Sequence, residues 1–162
     1  MNQGTIGLRG LGFLVGLVLL GVAGQAADWP TYKGDAQRSS VSEEALSFPL
    51  APAWTYRPSR PPSPAWPEPG KELHRIDFDY VFQPVAAGGV VVFGSSADDT
   101  VRALDLATGQ PAWTFVTRGP VRFAPAIAGG NAYVVSDDGG LYCLDVKTGT
   151  LKWRFQAGPG SD

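Results

Sequence analysis

The side chains in this sequence that could bind a metal ion or act in catalysis are two pairs of adjacent aspartates and one histidine. Asp98-Asp99 and Asp137-Asp138 could each offer carboxylate oxygens to Ca²⁺, and a His-based catalytic triad would have to centre on His74. Each aspartate pair falls in a short polar segment typical of a turn tip, and His74 stands among charged residues typical of a solvated loop. We therefore assign no catalytic, cofactor-binding or metal-binding residue.

A sequence motif occurs twice in the chain, 40 residues apart, and indicates an internal repeat. Residues 102–115 read RALDLATGQPAWTF, and residues 142–155 read YCLDVKTGTLKWRF. An earlier segment, 82–89, matches 123–130 at an offset of 41, so the first repeat carries one more residue in the loop 96–100. A period of about 40 residues with strand-turn-strand chemistry predicts a propeller or a solenoid built from small sheets.

Four short strands are predicted in each repeat. Gly88-Gly89 and Gly129-Gly130 suit two-residue hairpin turns because glycine tolerates positive φ. The run Val90–Phe93 is apolar on both faces, which is typical of a strand covered on both sides, as stacked blades would provide. The predicted strands are 82–87, 90–94, 100–104 and 112–117 in the first repeat, and 122–128, 132–136, 140–144 and 152–156 in the second.

Each repeat carries the spaced motif A-x-D-x-x-x-G-x-x-x-W, with cysteine in place of alanine in the second copy. The aspartate can accept backbone N–H bonds of the following turn, and the glycine permits a left-handed turn residue. The tryptophan buries a large ring and needs an acceptor for one N–H, and the first residue must be small where a strand or ring lies against it. The motif is interpreted as structural and comprises Ala103, Asp105, Gly109, Trp113, Cys143, Asp145, Gly149 and Trp153.

This motif resembles the tryptophan-docking repeat of the pyrroloquinoline-quinone (PQQ)-type quinoprotein β-propellers. Residues 28–35, DWPTYKGD, are similar to the segment that often precedes such propellers. The resemblance implies an all-β fold with two four-stranded antiparallel blades of an incomplete β-propeller. It also implies that Trp113 and Trp153 are each held between neighbouring blades.

Residues 1–27 have the features of a secretory signal peptide. Arg9 precedes the apolar run Leu11–Val22, and small residues follow it at 24–27. An uncleaved membrane anchor is the alternative, but the run is shorter than the roughly 20 residues that a membrane span needs. We expect cleavage, no stable membrane span afterwards, and a periplasmic or secreted protein.

The rest of the chain divides into a leading segment and the repeats. We expect the leading segment, 28–79, to be extended. It contains a proline-rich linker at 57–70, with six prolines and with Trp66 as a packing anchor. The two repeats occupy 80–119 and 121–159, within a region that runs from 80 to 162.

The charge of the chain argues against nucleic acid as a partner, and its cysteine content shows which interactions can stabilise the fold. The formal net charge is −2 without a basic patch, so nucleic acid is not an expected partner. Cys143 is the one cysteine and is expected to be a small buried core residue; an internal disulfide is therefore not possible. An ion pair between the leading segment and the second repeat is expected among Asp77, Asp79, Arg118 and Arg122, and Arg122, at a strand start, needs a carboxylate partner.

Two functions remain open at this stage. Propellers typically have four to eight blades, so we expect an N-terminal fragment whose partners include the missing blades of the same protein. The first hypothesis is an exported, non-catalytic binding or scaffold module whose rim loops contact protein or polysaccharide, with no cofactor in this fragment. The alternative is the N-terminal part of a PQQ-dependent alcohol or sugar dehydrogenase, with PQQ and Ca²⁺ bound in the missing blades. A truncated product without a function of its own is a third possibility.

Overall fold

Eight strands form two four-stranded antiparallel sheets in this computed structural model, which describes residues 27–65 and 79–158. In each sheet the strands are ordered as in the sequence. The all-β class and the two antiparallel blades are thereby confirmed. The first blade contains β1 (Val85–Ala87), β2 (Val90–Ser95), β3 (Thr100–Asp105) and β4 (Pro111–Val116), and the second contains β5 (Ala126–Ala128), β6 (Asn131–Val135), β7 (Gly140–Asp145) and β8 (Leu151–Gln156).

Several sequence-based predictions fall outside the described residues. Residues 1–26, which make up nearly all of the predicted signal peptide, are among them, and so are Trp66, His74 and Asp77. Among the residues described, none belongs to a helix with the length and hydropathy of a membrane span.

The first hairpin of each blade turns on a glycine pair. Gly88 and Gly89 have φ of 61° and 84°, and Gly129 and Gly130 have φ of 55° and 74°. Two consecutive positive φ angles are what a type I′ turn requires, and its twist matches that of the flanking strands. The glycine pairs therefore set the register in which β1 pairs with β2 and β5 with β6.

The innermost strands are shorter than predicted. They were expected to begin at residues 82 and 122, but β1 begins at Val85 and β5 at Ala126. Each strand starts directly after a proline, Pro84 or Pro125. Proline has no backbone N–H to donate to a ladder, so pairing begins at the next residue.

The same irregularity occurs in both blades where the outermost strand pairs with its neighbour. The register shifts between Ala103 and Leu104 in the first blade and between Cys143 and Leu144 in the second. Such a shift bends the strand and increases its twist. The irregularity therefore falls at the same position of the motif in both repeats.

The hydrophobic core lies between the two sheets. Gly94 of β2 stands against Val121 of the connection between the blades, and a Cβ at this glycine would overlap the valine side chain. The sheets approach each other most closely through β1 and β5. The fully buried core residues are Val85, Val92, Val101 and Ala103 of the first blade and Ala132, Val134 and Leu144 of the second.

The start of the leading segment joins the innermost strands of both blades. Trp29 and Ala86 exchange two backbone hydrogen bonds, with N···O distances of 2.6 Å and 2.9 Å. The N–H of Ile127 donates to the carbonyl of Pro30 at 2.7 Å. Residues 29–30 therefore link β1 to β5 through backbone hydrogen bonds.

A later part of the leading segment covers the outer face of the first blade. Phe93 of β2 is buried, and its ring packs against Tyr56 at a centroid distance of 5.4 Å and against Phe82 at 4.8 Å. The apolar run Val90–Phe93 is thus covered on both sides, as predicted. The second blade covers one face, and Tyr56 of the leading segment packs on the other.

Arg122 pairs with a carboxylate of the leading segment, as predicted. Its Nε lies 2.8 Å from Asp79 Oδ2, and its Nη1 lies 3.6 Å from Asp137 Oδ2. The hydrogen bond to Asp79 is the main cause that raises the pKa of Arg122. The guanidinium therefore ties residue 79 to the second blade.

Replacing Arg122 by alanine should lower the free energy of unfolding by about 1–2 kcal/mol, because a charge-assisted hydrogen bond to a mostly buried carboxylate is lost. Urea unfolding followed by tryptophan fluorescence measures this. Arg118→Ala is the matched control, since the contact of Arg118 with Asp138 runs through its backbone N–H. Equal stability of the two variants would contradict the role given to Arg122.

Candidate functional site

A tryptophan of the first blade docks onto a turn of the second. The indole Nε1 of Trp113, on β4, donates to the carbonyl of Val146 at 2.9 Å. The ring lies over Gly149, where a Cβ would stand 2.6 Å from ring atoms. The φ of Gly149 is 68°, so the position favours glycine for its conformation as well as for space. We call this contact, Trp113 with residues 145–149, the indole-docking seam.

The aspartate of each motif closes the turn that receives an indole. Asp145 Oδ1 accepts the backbone N–H of Lys147 at 3.0 Å and of Thr148 at 3.1 Å. Asp105 accepts the equivalent bonds from Ala107 at 3.1 Å and from Thr108 at 2.8 Å. These bonds fix the turn, which in the second blade aims the Val146 carbonyl at the indole of the first.

The small residue of each motif lies beside the tryptophan on the neighbouring strand. Ala103 pairs in register with Trp113, and Cys143 pairs with Trp153. Ala103 and Cys143 are both almost completely buried, and the Cys143 thiol is free. A larger side chain at either position would meet the adjacent strands, because protein interiors leave little free volume.

A second docked indole comes from the leading segment, and our sequence analysis missed it. Trp54 Nε1 donates to the carbonyl of Leu106 at 2.9 Å. Its ring lies over Gly109, where a Cβ would stand 2.5 Å from ring atoms. The signal was present in the sequence, since residues 52–56 read PAWTY and residues 111–115 read PAWTF. A search for whole repeats overlooks so short a match.

Trp153 lies on an uncovered face of the second blade. Its side chain is 45 % exposed, and its ring meets Tyr133 at a centroid distance of 6.1 Å. Phe155 and Val135 share this face and are also exposed, whereas Val101 and Val92 on the equivalent face of the first blade are fully buried. That Trp113 is held between the blades is seen in the structure, whereas for Trp153 it stays a prediction, because the described residues contain no further turn that could receive this ring.

The two docking turns differ in their electrostatics. Lys152 Nζ lies 3.0 Å from Asp145 Oδ2. This interaction, together with the Thr148 and Lys147 backbone bonds, lowers the pKa of Asp145 to about 2. Asp105 has no lysine at the equivalent position, which is Ala112, and its pKa is lowered mainly by the Thr108 hydroxyl.

Asp98 engages residues of its own blade, whereas Asp138 also accepts the backbone N–H of Arg118, which follows the first blade, at 3.2 Å. Asp98 accepts hydrogen bonds from Thr100 and Arg102. Asp138 accepts the Gly140 N–H at 2.7 Å and the Tyr142 hydroxyl. Burial opposes ionisation of Asp138, but these hydrogen bonds hold its pKa below the ordinary value. Both carboxylates thus serve turns and neighbouring strands.

The described residues offer no fit for PQQ or Ca²⁺. Within residues 27–65 and 79–158, His, Cys, Asp and Glu side chains form no group of three or more that could hold a metal ion. A polar cavity lined by Asp79, Gln83, Ser96 and Arg122 has a volume of about 10 Å³. That is room for about one water molecule and is too small for a quinone cofactor.

Comparison with known proteins gives a family and a fold. A family model described as "Outer membrane protein assembly factor BamB" matches residues 54–162. An outer membrane protein assembly factor BamB from Taylorella asinigenitalis (strain MCE3) is 32% identical over 103 residues, which are 62% of this chain and 24% of that protein. The chain therefore spans about a quarter of the length of this curated relative.

Two solved structures are similar to the chain. Quinohemoprotein alcohol dehydrogenase from Comamonas testosteroni has a TM-score of 0.53 and 23% identity, covering 80% of this chain and 19% of that chain. This likeness supports the fold alone. BamB from Moraxella catarrhalis has a TM-score of 0.39 and 26% identity, covering 42% of this chain and 21% of that chain.

Replacing Gly149 by alanine should destabilise the fold more than replacing Gly129. Both glycines have positive φ, so each substitution carries a strain of about 1–2 kcal/mol. A Cβ at Gly129 meets nothing within 4 Å, whereas a Cβ at Gly149 meets the Trp113 ring. Overpacking adds about 1–3 kcal/mol at Gly149. Urea unfolding measures the free energy of unfolding of the two variants. Equal losses of this free energy would contradict close docking of the indole on Gly149.

The Asp145 carboxylate should titrate near pH 2, and the variant Lys152→Ala should raise that midpoint toward the ordinary value of 3.8. Because the folded pKa is lowered, the stabilisation is present above pH 3.8 and is lost as the pH falls through about 2. Carboxyl carbon chemical shifts report the midpoint. Asp105, whose turn has no lysine partner, is the internal control, and an unchanged Asp145 midpoint in the variant would contradict this assignment.

Proposed function

The chain belongs to the family of outer membrane protein assembly factor BamB, and on that premise we propose that it contributes two blades to a non-catalytic propeller scaffold of the bacterial periplasm. In this proposal the scaffold takes part in outer-membrane protein assembly, the process named for the family and for the Taylorella relative. The dehydrogenase alternative gains no support from the fold likeness, since an identity of 23% speaks for the fold alone.

The observation that carries the proposal is the uncovered face around Trp153. The equivalent face of the first blade is buried by the second blade, with Trp113 docked across the seam. Trp153 occupies the same motif position as Trp113, yet nearly half of it is exposed. In this proposal the face is covered by a further repeat of the same polypeptide, so the two blades belong to a longer ring.

The rim between the blades offers a surface for a protein partner. Val81 is 71 % exposed and Phe123 is 59 % exposed, and both line the small cavity beside Arg122. Exposed apolar and aromatic side chains beside fixed charges are typical anchors of protein interfaces. In this proposal the partner at this rim is a protein of the assembly machinery, and polysaccharide is the other candidate.

Export is part of the same proposal. A scaffold for outer-membrane protein assembly must reach the periplasm, and residues 1–27 have the composition of a secretory signal. Cleavage after these residues would leave the leading segment, with Trp29 close to the new N-terminus, as the first part of the mature protein.

The test is complementation with the complete polypeptide in a bacterium that lacks its own member of this family. Restored amounts of folded outer-membrane proteins are expected. The double variant Val81→Ser/Phe123→Ser should restore less at an unchanged thermal midpoint. Phe48→Ser, which alters an exposed aromatic residue of the leading segment, is the matched control and should restore fully.

A cofactor test on the same polypeptide separates the scaffold from the dehydrogenase. PQQ with Ca²⁺ should leave its thermal midpoint unchanged and should elicit no alcohol-dependent dye reduction. Binding with alcohol oxidation would overturn the non-catalytic proposal. An exported, folded protein that fails to complement would overturn the role in assembly.

A further inference from the structure

We propose that the signal segment is removed after Ala26, and that the amino group which this cut creates on Ala27 forms an ion pair with the carboxylate of Glu44. The inference rests on the export that is part of the proposed function, because a signal peptidase acts only on an exported chain. It ends the signal one residue earlier than the range 1–27 taken from composition, and it gives the new terminus a partner in the fold.

The small residues after the apolar run allow two cleavage positions to be compared. Residues 24–27 read Gly-Gln-Ala-Ala. An A-x-A-like site has small residues directly before the cut and two positions further back. A cut after Ala26 has Gly24 at the second of these places, and glycine fits there. A cut after Ala27 has Gln25 at that place, and glutamine is not small, so the pattern favours the cut after Ala26.

A carboxylate already lies at the atom that this cut would turn into an amino group. The backbone nitrogen of Ala27 donates to Glu44 Oε2 at 3.2 Å. In the uncut chain this nitrogen belongs to an uncharged amide with one N–H. After the cut it belongs to a terminal amino group, which is mostly protonated at neutral pH. A hydrogen bond between charged groups is about twice as strong as a neutral one, so cleavage strengthens a contact that the fold has already formed.

The residues directly after Ala27 hold the new terminus against the first blade. Asp28 Oδ1 accepts the N–H of Gly88, in the hairpin turn after β1, at 3.3 Å. Trp29 exchanges two backbone hydrogen bonds with Ala86 of β1. A terminus that is anchored at the next two residues loses little conformational entropy when its amino group pairs.

Glu44 is positioned by short-range hydrogen bonds of its own segment. Asp35 accepts the N–H of Ser39 at 2.9 Å, and the hydroxyl of Ser39 accepts the N–H of Val41 at 3.2 Å. The hydroxyl of Ser42 then accepts the N–H of Glu44 at 3.1 Å. Local bonds from side chains to the backbone are those that fix turns. They define the path from residue 35 to residue 44, at whose end the carboxylate meets the new terminus.

Mass spectrometry of the complete polypeptide isolated from the periplasm tests the cleavage position. We expect Ala27 to be the first residue. Two variants separate the possible cuts, because a small residue is needed at position 24 only for the cut after Ala26, and at position 27 only for the later cut. Gly24→Leu should abolish the wild-type cut, and Ala27→Leu should leave it in place. A wild-type protein that begins at Asp28 would overturn the inference.

Amine labelling of the mature protein tests the ion pair. An N-hydroxysuccinimide ester reacts only with an uncharged amino group, and a nearby carboxylate favours the charged form. At neutral pH the amino group of Ala27 should be labelled about two- to fivefold faster in Glu44→Gln than in the wild type, which is the size expected of an exposed ion pair. Glu43→Gln removes the same charge from the neighbouring residue and is the matched control. Equal labelling rates in the two variants would overturn the pair.

The outcomes separate this inference from the proposed function. An exported protein that begins at Asp28 would overturn the cut while leaving export intact. A chain that is found only in the cytoplasm would overturn both. A protein that is cut after Ala26 and fails to complement would leave the inference standing and would overturn the role in assembly.

Discussion

The docking of an indole onto a glycine turn is the contact on which the arrangement of the two blades depends. The donor and the acceptor come from different sheets, so one hydrogen bond and one ring contact fix both the distance and the orientation between them. The indole N–H is satisfied by a carbonyl while most of the ring is removed from water, and truncating such a ring typically costs about 3–5 kcal/mol. The aspartate of the turn accepts two backbone N–H groups and so fixes the turn that carries the acceptor carbonyl.

The leading segment extends the same principle over the full width of the first blade. Trp29 and Pro30 bond to the innermost strands, Trp54 docks at the turn before the outermost strand, and Tyr56 covers Phe93 between them. The chain has one cysteine, whose thiol is buried, and therefore no internal disulfide to restrain its sheets. Backbone hydrogen bonds, docked rings and the ion pairs of Arg122 with Asp79 and Asp137 restrain the sheets instead.

Much of the fold could be predicted because its signals are local. Glycine pairs, Asx turns and the motif spacing are read within a few residues, and the structure has strands and turns where they predict them. The starts of β1 and β5 were misplaced because the apolar run continues through Pro84 and Pro125, which have no backbone N–H to donate to a ladder.

The candidate site was harder to predict than the strands. Trp54 went unnoticed because its only sequence signal is a five-residue match to residues 111–115, and because its docking depends on a turn 55 residues away, at Gly109. The exposure of Trp153 depends on which chain lies against it, which is again not a local property. The pairing of Arg122 with Asp79 was predictable in kind, since a semi-buried guanidinium needs a carboxylate.

Each repeat unit carries one donor, on its outer strand, and one acceptor, in the turn just before that strand. An in-frame gene duplication of about 40 codons therefore inserts a matched pair and disturbs no existing seam, and the loss of one unit is equally harmless to the joints that remain. Blade number in such a lineage can change by recombination in whole steps. Single substitutions at the tryptophan or the glycine do disturb a seam, because each of these residues contacts a partner that is encoded in a different repeat.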